Sequence, residues 1–252
     1  MPARYVLGLK GVEAEDAATT WADSRGAEAG VPVVHVHVTA GDDAAHDRLN
    51  PATRIDAVLP RGPVAEELAR FVHDDDVLVI STGKTGFVHS RIFGTTGLRI
   101  AAAVRCPVAV IPQVDLRFRS GIIAGVKNDD LLETVIRVAS EEASQTGAPL
   151  QIVHSSFSGV VPAPADTRPT AMERARTLIE RLAPQATLRI RESARPPAEA
   201  LLDASRNAAL LVVGAGRGHR TGQGLGPVVQ DILLNINAPV IVVPARPSAS
   251  SS

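Results

Sequence analysis

Apolar positions along the chain fall into short β-branched runs, separated by Ala-rich or amphipathic stretches long enough for helices. The runs Tyr5 to Leu9, Val31 to Val38, Ile55 to Leu59, Val77 to Ile80 and Pro107 to Ile111 predict strands. Between them, Glu13 to Ala29, Pro63 to Val72 and Gly94-Thr95 to about Ala103 read as helices. Pro63 is expected near the first helical position, where its missing N–H costs nothing. Thr39 to Pro51 is polar, broken by Gly41 and Pro51, and reads as loop. After a connector, Gln113 to Ser120, the order restarts. Strands are expected at Ile122 to Val126, Pro149 to Val153, Ala186 to Ile190, Leu210 to Val213 and Pro239 to Val243. Helices are expected at Asp129 to Thr146, Thr170 to Ala183, Pro197 to Arg206 and Val228 to Asn237.

The restart is a duplication. Gly8 and Gly125 lie 117 residues apart, as do Pro32 and Pro149. Gly83 and Gly216 lie 133 apart, and Pro107 and Pro239 lie 132 apart, so the second half gains 16 residues after its second strand. Strands alternating with helices imply parallel pairing with helices on both faces. In such sheets a ligand sits outside the carboxyl ends of the strands. The segment Leu210 to Pro244 carries the richest candidate: a buried strand, a loop with Gly214, Gly216, Gly218, Gly222, Gly224 and Gly226, then a helix. Glycine lets backbone approach an anion, and free N–H groups at a helix start point towards it.

Composition narrows the function classes. The 252 residues suit two domains, expected at 1–113 and 118–246, with 247–252 as a disordered polar tail. Aromatics make up only 3% and the formal net charge is −1, which argues against nucleic-acid binding. Cys106 is the single cysteine, so a disulfide framework and a cysteine zinc site are excluded; as it precedes an apolar strand, an inert core thiol is expected. No apolar run approaches membrane-spanning length and the start shows no signal region, so a cytoplasmic protein is expected.

At this point the residues resemble a known family, the tandem universal stress proteins. In the second half the resemblance rests on PAEALLDASRNAALLVVGAGRG (197–218), Gly226 and NAPVIVVP (237–244). In the first half it rests on VVHVHV (33–38), VAEELARFV (64–72) and GTTGLRIAAAVRCPVAVIP (94–112). The resemblance implies an α/β fold of two tandem five-stranded parallel sheets, strand order 3-2-1-4-5, packed as a pseudo-dimer through their final strands. Further homodimerisation is left open.

Nucleotide-binding members carry an acidic residue after the first strand and G-x2-G-x9-G-[ST] after the fourth. Here the acidic position is Lys10 in one half and Lys127 in the other. The second loop reads Gly214-x-Gly216-x9-Gly226-Pro227, and the first Gly83-x10-Gly94-Thr95, with Gly83 and Gly86 keeping a local G-x2-G. Lysine cannot accept a hydrogen bond from ribose, and proline removes both a hydroxyl and an N–H where a phosphate would want them. The candidate contacts for ATP, another adenine nucleotide or an anion are thus Lys10, Val38, Gly83, Gly86, Gly94, Thr95, Lys127, Ser155, Gly214, Gly216, Arg217, Gly218 and Gly226, with His219 and Arg220 as extra donors. No cofactor is firmly implied. The expectation is a non-catalytic binding or regulatory module in stress response with a degenerate nucleotide site. The alternative is an ATP-binding sensor with at most slow ATPase activity.

Other patterns carry less. Gly83-Lys84-Thr85 fails as a P-loop because Leu78 stands where its first glycine is required. His35 and His37 share a strand face without a second ligand pair, and read as structural or surface histidines; His154, which matches His37, is expected to make a strand-end hydrogen bond. Asp74, Asp75 and Asp76 read as a solvated turn. Arg174, Arg176 and Arg181, interspersed with Glu173 and Glu180, read as a wet helix face. No G-x-S-x-G elbow is present.

Overall fold

A computed structural model describes residues 1–9, 17–38, 54–82, 95–157, 169–216 and 224–245. Its elements run β1 (Tyr5–Leu9), α1 (Ala17–Ala29), β2 (Val33–Val38), β3 (Ala57–Leu59), α2 (Val64–Phe71), β4 (Val77–Ser81), α3 (Thr95–Ala103) and β5 (Val108–Ile111) in the first half. The second half follows with β6 (Ile122–Val126), α4 (Leu132–Thr146), β7 (Leu150–Ser155), α5 (Ala171–Leu182), β8 (Leu188–Ser193), α6 (Pro197–Ser205), β9 (Leu210–Gly214), α7 (Pro227–Leu234) and β10 (Val240–Val243). The loop expected at 39–51, the first residues of the helix expected at 13–29 and the polar tail lie outside the described residues.

The ten strands form one sheet in the order β3-β2-β1-β4-β5-β10-β9-β6-β7-β8. This corrects the expectation of two separate sheets. Each half keeps the order 3-2-1-4-5, but β5 and β10 pair antiparallel, Val240 opposite Val110 and Ile241 opposite Ala109, so neither leaves an open edge. All other neighbouring pairs are parallel. The antiparallel junction turns the second half end over end. The carboxyl ends of its strands therefore lie at the opposite rim from those of the first half.

Strand side chains alternate between two cores, each running through both halves. Val240 and Val242 join Val108, Val110, Leu78 and Ile80 beneath α2, α3, α6 and α7. Ile241 and Val243 join Ala109, Val79, Ile122 and Leu150 beneath α1, α4 and α5. With so few aromatics, branched aliphatic residues fill both layers.

Local signals set most helix ends. Thr170 accepts from the Glu173 backbone N–H at 3.2 Å while the Glu173 carboxylate accepts from Thr170 N–H at 2.8 Å, a capping box that starts α5. Gly147 ends α4 with φ +63°, a left-handed turn that glycine takes without strain. Pro63 stands one place earlier than expected: its extended backbone caps α2, and the helix itself begins at Val64. The second-half strands β7 and β8 each run past their expected ends, to Ser155 and Ser193.

Candidate functional site

The second-half rim is built from the ends of β6, β7 and β9, with α4 and α7 starting above them. Adjacent registers align Gly125 with Val153 and Val213, which places Lys127, Ser155 and Gly214 together along one rim. Lys127 is exposed, as a lysine past a strand end should be. Lys127 makes no ion pair with Asp129, two positions further on. Asp129 Oδ1 instead accepts from Leu131 N–H at 3.0 Å, and among the described residues no carboxylate pairs with Lys127. Ser155 is also committed, its hydroxyl donating to the Arg195 carbonyl at 2.7 Å.

Gly214 is required by packing. A β-carbon there would stand 2.9 Å from Leu131 Cδ1 and 3.1 Å from Leu131 Cβ. The chain then turns through Gly216, whose φ of +67° suits glycine, and returns at Gly226. Gly226 N–H donates to the Ala215 carbonyl at 2.7 Å, and Ala215 N–H to Val243. Gly226 then caps α7 with no side-chain hydrogen bond, and Pro227 occupies its first position. In this first turn one amide is used up by Ala215 and one is absent. The N–H groups of Val228 and Val229 are those left to face an anion.

The first-half rim is described in part. Val38 ends β2 and is buried, and Thr95 opens α3. Lys10, Gly83, Gly86, Gly94, Arg217, Gly218, His219 and Arg220 lie outside the described residues.

Around the rims, several charged groups serve structure. Asp76 corrects the expected solvated turn: it is 1% exposed, holds Arg4 through both carboxylate oxygens at 2.9 and 3.0 Å, and accepts from His73 N–H at 2.8 Å. Only Asp74 and Asp75 of that run are exposed. His35 is buried, its Nδ1 3.2 Å from the Arg54 carbonyl, and the Asp56 carboxylate accepts from its backbone N–H at 2.9 Å. That hydrogen bond from His35, with Arg54 beside it, holds the Asp56 carboxyl below the usual carboxylate range. His154 makes the expected strand-end bond, Nδ1 to the Val126 carbonyl at 2.9 Å. Burial pushes the Cys106 thiol up to about 12, so it stays protonated and unreactive. On α5, Arg176, Glu180 and Arg181 are exposed, while Arg174 Nη1 reaches Asn128 Oδ1 at 2.5 Å.

Sequence reading missed Leu131 as the residue that seats on Gly214, because a lone leucine before a helix carries no motif. It also missed the Arg4–Asp76 pair, joined across 72 residues.

Residues 120–244 match the model of the universal stress protein family. The fold aligns over 96% of its length with 96% of a universal stress protein from Archaeoglobus fulgidus DSM 4304, at a TM-score of 0.70 and 15% identity. This chain is a tandem member of the universal stress protein family. A universal stress protein of Mycobacterium tuberculosis is 30% identical over 183 residues, covering 68% of this chain and 62% of the relative's own length. Another Archaeoglobus fulgidus universal stress protein, solved in complex with dAMP, is 26% identical and covers 50% of this chain and 98% of its own, at a TM-score of 0.37. Among the described residues of this universal stress protein, no helix is long and apolar enough to cross a membrane.

Proposed function

We propose that this universal stress protein is a non-catalytic binding and regulatory module whose two rims differ in what they hold. The second-half rim takes at most a small anion. The observation that carries this is the start of α7: Gly226 N–H is bound to Ala215, and Pro227 contributes neither hydroxyl nor N–H. Lys127 adds a positive charge there but no acceptor for a ribose hydroxyl. Among the described residues a phosphate would find two amides and a cation, and Lys127 offers a ribose hydroxyl no acceptor.

A second reading has one observation in its favour. The first-half helix α3 begins at Thr95, which supplies a hydroxyl-bearing residue at the position Pro227 holds in the second half. On this reading the first rim binds ATP or a related adenine nucleotide, and the protein is a nucleotide sensor with at most slow ATPase activity. Mass spectrometry of protein denatured straight from purification separates the two. Adenine nucleotide released in stoichiometric amount supports the sensor; none, followed by no heat on titration with ATP, supports the module without nucleotide.

A further inference from the structure

The junction of the halves lies on an approximate two-fold axis, and the register shows where. Ala109 and Ile241 are directly opposite in the antiparallel β5–β10 pair, and they are 132 residues apart, the spacing that relates Pro107 to Pro239. Equivalent residues therefore face one another at the axis, as they do in a two-fold interface between identical subunits. On one side of the sheet α1 and α4 are also equivalents, related by the 117-residue offset of Gly8 and Gly125. Arg25 and Glu142 are separated by that same offset. They meet across the axis, Arg25 Nε 3.3 Å from Glu142 Oε2, with both side chains 8% exposed. Arg25 also pairs with Glu28 at 2.9 Å and lies 5.3 Å over the Trp21 ring.

At such a position two identical halves would place like against like. Two first halves would set one Arg25 against another, and two second halves would set one Glu142 against another, out of water in either case. We propose that the Arg25–Glu142 pair selects the partner at this interface, so that each half's axis face accepts only a half bearing the opposite charge at the equivalent position. Reversing one member sets like charges together out of water, which costs far more than the pair contributes by itself. Discrimination at the interface thus comes from the repulsion built into the wrong pairings.

Two measurements on the full chain test this. Arg25→Glu and Glu142→Arg should each lower the melting temperature by on the order of 10 °C, and the exchanged double variant R25E/E142R should recover most of that loss. The Arg25→Glu and Glu142→Arg chains should then be refolded together in equal amounts and weighed by native mass spectrometry. The two chains complement each other, so two-chain species containing one of each should exceed their statistical share. The proposal is overturned if the double variant melts as low as the single ones, or if mixed two-chain species stay at or below the statistical share.

Discussion

The starts of α3 and α7 are equivalent places in the two halves, and they differ in one residue of consequence: Thr95 in the first, Pro227 in the second. The buried strand before each and the helix that follows are common to both halves. Duplication therefore conserved the frame and released the ligand-facing turn, because apolar packing constrains the strand while only a bound ligand constrains the turn. The second rim shows what fills the space afterwards. Leu131 packs onto Gly214, and Gly226 spends its amide on Ala215. Both glycines are thereby built into the fold.

The largest effect should come from the strand pairing that joins the halves. Ile241→Asp would bury a carboxylate opposite Ala109 and destabilise the protein by about 3–5 kcal/mol, read as a lower midpoint in urea unfolding. Unchanged stability would mean that the halves do not depend on a common sheet. Next comes the packing of the second rim. Gly214→Val would force its side chain against Leu131 and cost about 1–3 kcal/mol, with ATP titration heat unaltered. A change in ligand binding without loss of stability would make Gly214 a binding residue after all.

Thr95→Ala sharpens the comparison from the other side. If the first rim holds a nucleotide, losing that hydroxyl should weaken ATP about tenfold or more, as loss of a hydrogen bond to a charged group does. The converse change, Pro227→Thr, should leave the second rim weak so long as Lys127 remains, and Pro227→Thr with Lys127→Asp should raise its affinity.

The smallest effect is a pH dependence. Burial raises the Glu142 carboxyl above its ordinary value of 4.5, Arg25 opposes the rise, and Glu28 and Glu141 add to it; Tyr5, raised chiefly by its own burial, stands beside them. A carboxyl raised on folding holds its proton to higher pH in the folded state than in the unfolded. Its contribution is full below 4.5 and is lost as pH rises through the raised value. The melting temperature of Glu142→Gln should therefore improve relative to the parent as pH rises above 4.5, whatever their difference in acid.

The fold was largely legible because its signals are local and doubled: the runs Tyr5–Leu9 and Ile122–Val126 fall where their apolar patterns end. The single sheet was less so. Sequence shows that Val108–Ile111 and Val240–Val243 are sticky, and the meeting of final strands follows from the resemblance, but continuity of hydrogen bonding depends on register. The rim was legible as a place and much less as a site. Gly214 reads as a phosphate glycine and is explained by Leu131, far earlier in the chain. Contacts between distant positions leave no periodic trace.

The account rests on the inequality of the two rims, and ATP titration at fixed magnesium into the intact protein and into Thr95→Ala tests it most directly. The account predicts at most one equivalent of ATP per chain, lost or strongly weakened in Thr95→Ala. Two equivalents per chain, or one that survives Thr95→Ala undiminished, would place the nucleotide at the rim capped by Pro227 and contradict it.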